Sequence, residues 1–323
     1  MSNNILAITT AEDPHVDMVS DKLKDRGSIL IYDPNKFPED TDITISFING
    51  NHSVISEGRV LSDVRSVWFR KPKYLKPSDQ PVENEFRAFT QEAYELGSKA
   101  IYDLLRNKFW MSPFRNILSA GNKMLQLELA QEVGFNVPAT VLTNNPNDVM
   151  TFRNEFGQIV AKSLNFHPVQ LEDGNLYGFY TTSISPKDDV DFSGLALAPT
   201  IFQQEILDKV DVRVTIVGNE IFPCLIRPTK RKSTAVDWRE GIMTDEVEYT
   251  AFPEFPENMR LLCIQMVKKL GLTFSAMEFV IDKDGKYWFI ENNPNGQWAF
   301  IEDETGMPIS ESIAELLWKS GKR

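Results

Sequence analysis

Cysteine and histidine are scarce in this 323-residue chain, with two of the first and three of the second. Cys224 and Cys263 each stand alone in an apolar setting, with no CxxC and no Cys/His spacing, so neither a zinc site nor a disulfide framework is indicated. Both are expected as buried, reduced thiols of a cytoplasmic protein. His15, His52 and His167 are scattered, and none neighbours a Ser or Cys in a nucleophile setting, which leaves a hydrolase triad without support. No apolar run approaches the length of a membrane span. Residues 1–4 carry no basic region of the kind that opens a signal peptide, and the apolar residues after them read as a first strand. Absence of GxxxxGK[ST] excludes a P-loop NTPase, and absence of GxGxxG behind a strand argues against a dinucleotide fold. Positive charge is also short: 34 Lys and Arg against 46 Asp and Glu give a net charge of -12. That balance argues against wrapping a nucleic-acid duplex and against adhesion to an anionic membrane.

What is present is ordinary globular material, 42% hydrophobic and 25% charged, long enough for two or three packed subdomains. Residues 1 to about 75 alternate strand and helix signals: strands at 5–8, 28–32 and 64–69, a helix at 16–26 stopped by Gly27, and a hairpin turning at Asn49-Gly50-Asn51. A small open α/β domain follows from that order. A long helix is expected over 83–108, with Phe86, Phe89, Ala93, Leu96, Ala100 and Leu104 at helical spacing as its core stripe. Further helices are expected at 124–133, 148–156, 258–270 and 310–320, and further strands at 159–162, 200–204, 211–217 and 221–226. Residues 165–198 turn polar and read as a strand pair with a mobile loop.

The most informative stretch is a hairpin near the carboxyl end. Two aromatic and branched runs, 275–282 and 287–293, flank Lys283-Asp284-Gly285-Lys286. Glu278 lies on the first run. Glu291 and Asn293 close the second, two residues apart and so on one side of an extended chain. Two carboxylates and an amide oxygen form a hard-oxygen set suited to Mg²⁺ when phosphates and water complete the shell. The ordinary alternative is a hairpin with acidic edges. Lys123 opens a helix and Lys162 ends an apolar strand, positions from which lysines hold phosphates as point charges, or else serve as solvated surface groups. Gln204, Glu205, Ile206 and Leu207 follow a strand and read as a hinge whose backbone meets an adenine edge, or simply as a strand end. Asp211 and Arg213 share one face of a strand. Arg227 ends the next strand and Arg239 follows Trp238. Such arginines take a carboxylate or phosphate partner, with structural ion pairs as the alternative.

The order Lys, Lys, hinge, Asp-x-Arg, Arg, Glu, Glu-x-Asn resembles the ATP-grasp superfamily. More narrowly, the chain is similar to microviridin-type graspetide synthetases, the ligases that install side-chain lactones and lactams in ribosomal peptides. The residues carrying this are Ser66-Val67-Trp68-Phe69-Arg70-Lys71-Pro72, Ile201-Phe202-Gln203-Gln204, Asp211-Val212-Arg213-Val214-Thr215-Ile216-Val217-Gly218, Val236-Asp237-Trp238-Arg239 and Asn293-Pro294-Asn295-Gly296-Gln297-Trp298. The resemblance implies an α/β (α+β) ATP-grasp fold with an N-terminal pre-ATP-grasp domain at 1–115, a central subdomain at 116–200 and a metal-bearing C-terminal subdomain at 201–323. It implies ATP and Mg²⁺ as cofactors, with Lys123 and Lys162 at the nucleotide phosphates and Gln204, Glu205, Ile206 and Leu207 at adenine. Asp211 would meet ribose or help position Arg213, and Glu278, Glu291 and Asn293 would ligate the metal. Gln204 and Glu278 depart from the acid and the Asp common at those places, and the loop near Thr181 and Thr182 is not glycine-rich.

On that resemblance the reaction would be macrocyclisation of a ribosomal precursor peptide. Its Asp or Glu side chains would be activated as acyl phosphates and joined to Ser or Thr as esters, or to Lys as amides. Arg227 would neutralise the transferring phosphoryl group, and Arg213 and Arg239 would orient the carboxylate and stabilise the oxyanion. The partner would be a precursor with a leader segment, docked on the insert at 165–198 or on the middle strands, and a homodimer is a further implication. Two rival functions are a ligase adding a free amino acid to a small molecule or protein tail, and a non-catalytic ATP- or peptide-binding module.

Overall fold

The computed structural model of the chain describes residues 4–36, 41–72, 83–164, 169–170, 176–177, 181–229, 236–239 and 246–320. The amino-terminal part runs β1 (Asn4–Ile8), α1 (Pro14–Leu23), β2 (Ser28–Tyr32), β3 (Thr44–Ile48), β4 (Asn51–Ser56), β5 (Arg59–Val60), β6 (Ser66–Phe69), α2 (Asn84–Leu104), β7 (Phe109–Met111) and α3 (Phe114–Ala120). β2, β1, β6 and β7 pair in that order as a parallel sheet. Its inner strands β1 and β6 are almost wholly buried, which is why they read as continuous apolar runs rather than alternating ones. β3 to β5 form a separate antiparallel meander. Its first turn uses Asn49 and Gly50, both at positive φ (52° and 77°), as a two-residue hairpin loop requires.

α2 overturns the expectation of which face is core. Phe86, Phe89 and Leu96 are 54%, 70% and 59% exposed, whereas Tyr94, Ser98, Ile101, Tyr102 and Leu105 face inward. The buried face is lined by tyrosines whose polar tips disguise it in a hydrophobicity count. The expected helix start at 16 also moves. α1 begins at Pro14 behind Asp13, whose carboxylate accepts the His15 N–H and caps the helix, and it ends at Leu23.

The next unit comprises α4 (Lys123–Val133), β8 (Thr140–Thr143), α5 (Pro146–Phe156), β9 (Ile159–Lys162), β10 (Val169–Gln170), β11 (Leu176–Tyr177), β12 (Thr182–Ile184) and β13 (Thr200–Gln204). β12, β9, β13 and β8 form an antiparallel sheet over a small core of Val149, Ile159, Ile184, Leu195 and Phe202. The strand pair expected in the polar insert is present as β10 and β11. Within the loop and leader dock expected at 165–198, residues 165–168, 171–175 and 178–180 lie outside the described residues.

The last unit holds β14 (Val210–Val217), β15 (Glu220–Pro228), β16 (Val247–Ala251), α6 (Glu257–Lys269), β17 (Phe274–Ile281), β18 (Tyr287–Asn293), α7 (Ala299–Thr305) and α8 (Ile309–Ser320). Its antiparallel sheet runs β16-β15-β14-β17-β18. Val212, Val214, Ile216, Met277 and Phe279 share one core with Met259, Cys263 and Met266 of α6. On the other side, Ile309, Ile313, Ala314 and Leu317 of α8 pack in one cluster with Ile5, Trp68 and Met111 of the amino-terminal sheet. α8 thus joins the two sheets, so the amino-terminal unit and the hairpin of β17 and β18 share a core. β7, α3, β16 and α7 were not among the expected elements.

Candidate active site

The hairpin sets the site by register. Glu278 on β17 pairs directly with Glu291 on β18, and Ala276 pairs with Asn293. Glu278, Glu291 and Asn293 therefore share one face. Between Glu278 and Phe279 the register shifts by one, and Phe279 pairs with Phe289. This bulge reverses the facing of β18. Phe289 turns into the core against Phe279, with ring centroids 5.8 Å apart, while Glu291 and Asn293 keep to the opposite face.

A charged row crosses the sheet from there. Arg213 on β14 pairs with Glu278, and its guanidinium donates to the Glu278 carboxylate. Arg239, from the segment between β15 and β16, donates to Glu278 at 2.7 Å and also to Glu291. Asp237 holds Arg239 in turn, accepting from its backbone N–H at 3.2 Å and its Nη1 at 3.3 Å. Lys123 Nζ lies 3.6 Å from Glu291 and donates to the Ser163 carbonyl at 3.2 Å. Burial alone would raise the Glu291 carboxyl, but Arg239, Lys123 and Lys162 outweigh it and hold the group down at about 2. Arg239 is pushed up, because Glu278, Glu291 and Asp237 overcome its own desolvation. Lys162 Nζ donates to Gln203 Oε1 at 2.7 Å, and desolvation brings its ammonium down to about 8 despite the pull of Glu291.

Neighbouring backbone is tied tightly to this row. Gln126 of α4 acts as a substitute strand partner for Asn292: its Oε1 accepts the Asn292 N–H and its Nε2 donates to the Asn292 carbonyl, both at 2.8 Å. Arg213 Nη2 donates to the Gln297 carbonyl at 3.2 Å. A Cβ at Gly296 would fall 2.5 Å from both Arg213 Nη2 and the Ala276 Cβ, so only glycine lets that turn lie on the arginine. From the amino-terminal sheet, buried Arg70 donates to the Asn295 carbonyl at 2.8 Å, and His15 Nε2 accepts the Trp298 N–H at 3.3 Å.

Several expected residues sit elsewhere or are otherwise engaged. Arg227 is exposed, and strand alternation puts it on the face of β15 opposite to Cys224, the residue paired with Arg213; its own neighbour is Glu248 of β16. It does not join the cluster. Asp211 shares a face with Arg213 but is held by Lys209 at 2.5 and 2.7 Å, and does not position the arginine. Desolvation raises the Asp211 carboxyl against the pull of Lys209. In the hinge, the Gln204 N–H donates to Ala139 at 2.8 Å and the Glu205 N–H to Gln158 at 3.1 Å, so neither is free to read a base edge. The Glu205 carboxylate accepts from Ser183 and Gln158. Ile206 and the half-exposed Leu207 come next in the chain. Sequence reading gave no role to Asp13, His15, Arg70, Gln126 and Asp237. Arg70 and Asp237 lay within the motifs that carried the resemblance, and Arg70 is also a charged residue directly behind a buried strand, the argument that singled out Lys162.

The donor set fits a hard divalent cation. Glu278 and Glu291 face each other and already share one cation in the Arg239 guanidinium, and Glu291 is held ionised. Among the described residues no group of three or more His, Cys, Asp or Glu forms an all-protein cage. Two carboxylates beside an amide oxygen suit Mg²⁺, which completes its shell with phosphate and water.

A family model described as the MvdD pre-ATP grasp domain matches residues 4–118. No curated protein matches the chain. Solved structures give the rest of the fold. A Chryseobacterium gregarium RiPP-associated ATP-grasp ligase, in complex with ADP and a leader and core peptide, superposes with a TM-score of 0.87 at 23% identity, covering 98% of this chain and 96% of that one. The Microcystis aeruginosa macrocyclase MdnC, bound with precursor peptide MdnA, gives 0.85 at 24% identity, covering 98% and 99%. D-alanyl-alanine synthetase A from Vibrio cholerae gives 0.61 at 9% identity, covering 100% and 99%. The chain has the ATP-grasp fold, with a pre-ATP-grasp domain at its amino end.

Proposed function

We propose that this chain is an ATP-dependent ligase that macrocyclises a ribosomal precursor peptide. The observation that carries the reading is the row Arg213, Glu278, Arg239 and Glu291, flanked by Lys123 and Lys162, within an ATP-grasp fold. The relatives of highest similarity given above were solved with peptide substrates, one of them with ADP, and this supports a peptide rather than a free amino acid as acceptor. The lower likeness to D-alanyl-alanine synthetase A is what favours the alternative, joining free amino acids.

In this reading Lys123 and Lys162 neutralise the ATP phosphates, and Ile206 and Leu207 supply the hinge backbone at adenine. Glu278, Glu291 and Asn293 hold Mg²⁺, which when bound would neutralise charge on the phosphate oxygens. Arg213 and Arg239 then take the peptide carboxylate. Arg213 Nε is buried and has no hydrogen-bond partner among the described residues, leaving a donor for that purpose. An Asp or Glu side-chain oxygen attacks the γ-phosphorus and ADP leaves. A Ser or Thr hydroxyl, or a Lys amine, attacks the acyl carbon and phosphate leaves. The two arginines stabilise the oxyanion, and Arg227, outside the cluster, takes no part in neutralising the transferring phosphoryl group. Cytoplasmic action is supported by the two free, buried thiols, Cys224 and Cys263. Among the described residues no helix is long and apolar enough to cross a membrane.

The reading extends to a homodimer. Phe86, Phe89, Ala93, Leu96 and Ala100 repeat on the outer face of α2 at alternating three- and four-residue steps, the spacing of a seam that a second helix packs against. Sedimentation velocity of Phe89→Glu should give a monomer where the parent gives a dimer; a monomeric parent would remove the proposal.

Incubated with Mg-ATP and the peptide encoded beside it, the protein should remove one water per ring from the peptide and release one phosphate, and Glu291→Ala should do neither. A mass gain of one amino acid would instead support the alternative ligase, and no ATP turnover with any candidate peptide would support a binding module. Nucleotide affinity should also fall at high pH. Lys162 loses its proton near 8 when free, and bound phosphate retains it, so affinity is full below that pH and weakens by up to about tenfold per unit above it. Calorimetry across that range should show the slope in the parent and a flat profile in Lys162→Gln; a flat parent profile would contradict the role.

A further inference from the structure

The turn that follows the metal-ligand strand is fastened to a buried trio on the amino-terminal unit that the mechanism above does not use. Asp13 Oδ1 lies 2.8 Å from His15 Nδ1 and also accepts the His15 backbone N–H at 3.1 Å. Asp13 Oδ2 accepts from Thr9 at 2.8 Å and lies 3.6 Å from Arg70 Nε. On its other side the imidazole Nε2 faces the Trp298 N–H at 3.3 Å, while Arg70 Nη2 lies 3.1 Å from Nε2 and 3.2 Å from Nδ1. The Asp13 carboxylate at Nδ1 and the Trp298 N–H at Nε2 fix the proton: Nδ1 carries it toward the carboxylate, and Nε2 is the bare acceptor. Burial and Arg70 lower the His15 pKa while Asp13 opposes them, so the ring is neutral. Burial also depresses Arg70, to about 10, which leaves it charged at neutral pH.

Trp298, Gln297 and Asn295 form the backbone that crosses Arg213 and leads back to Asn293. Arg70 and His15 grip it at Asn295 and Trp298, and Arg213 grips it at Gln297. Asn293 Oδ1 accepts the Asn295 N–H at 3.0 Å, so the same turn orients the amide that faces the carboxylate pair. The His15 ring also packs edge-on against the Trp298 indole at a centroid distance of 4.9 Å.

We propose that His15 is a positioning residue whose Nε2, kept bare by Asp13, accepts the Trp298 N–H and with Arg70 sets the 293–298 turn for nucleotide and metal binding. The pre-ATP-grasp unit then contributes to the site directly rather than serving only as a scaffold. The inference rests on the proposed function for its affinity and kinetic readouts, and on the geometry alone for its exchange readout.

Two substitutions separate hydrogen bonding from packing. His15→Phe keeps a ring against Trp298 and removes the acceptor; His15→Gln keeps an amide oxygen and removes the ring. With thermal melting confirming that both fold, His15→Phe should weaken Mg-ADP affinity and kcat by roughly tenfold or more, the usual scale for losing an outer-shell partner. His15→Gln should stay within about threefold of the parent by the same scale. Amide hydrogen exchange over 293–298, without nucleotide, should quicken in His15→Phe and stay close to the parent in His15→Gln. The reverse order of the two variants would make His15 a packing residue and overturn the proposal, as would unchanged exchange in His15→Phe. If the parent itself binds no nucleotide, the ligase reading fails, while the exchange result still decides the role of His15.

Discussion

Two carboxylates placed opposite each other on paired strands are the constraint around which the rest is arranged. Glu278 and Glu291 face the same side of one hairpin, and like charges directly opposite on a sheet destabilise it. In a half-buried setting they must be protonated or share cations. The chain takes the second course. Arg213 comes from the adjacent strand in register, Arg239 bridges both acids, and Lys123 approaches from the start of a helix. The result is a preformed charged surface in which the two acids share one cation. That cation is a guanidinium on a segment between two strands, and Asp237 is its anchor. A site of this kind can exchange one cation for another without creating an unpaired buried charge.

Precision in such a site depends on backbone, because Glu291 and Asn293 end a strand at the edge of the sheet. The edge would fray were Asn292 not given a side-chain partner by Gln126, which replaces the missing neighbour strand. Beyond the strand the chain turns over Arg213, closely enough that Gly296 cannot carry a side chain. The amino-terminal sheet then fixes the far side of the turn. α8 packs the two sheets into one hydrophobic cluster, and Arg70 and His15 convert that proximity into directed hydrogen bonds. The pre-ATP-grasp unit and β18 are thereby held in one frame.

How much of this was legible in the sequence follows from the separation of the partners. The hairpin and its three oxygen donors were legible because the turn, the alternation and the donors lie within twenty residues. The bulge that reverses β18 leaves no mark on that alternation, so the facing of Phe289 emerged only with the fold. The misplacement of Arg227 was avoidable: the two-residue turn Gly218-Asn219 sets the register of β14 and β15, and counting from it puts Arg227 out of phase with Arg213. α2 shows a different limit. Periodicity finds an apolar stripe but not whether the protein's own core covers it, and here tyrosines took the inside. Arg70 and Asn295 are 225 residues apart and His15 and Trp298 are 283 apart, so only the fold could join them.

The central claim is that Glu278, Glu291 and Asn293 form one cation site completed by nucleotide phosphate. Electron paramagnetic resonance with Mn²⁺ in place of Mg²⁺ tests it most directly, titrating the metal into the protein with and without ADP. The account predicts one tight Mn²⁺ site that appears only with ADP and is lost separately in Glu278→Gln, Glu291→Gln and Asn293→Ala while each variant stays folded. A site of unchanged affinity in all three variants, or equal Mn²⁺ binding with and without ADP, would contradict it.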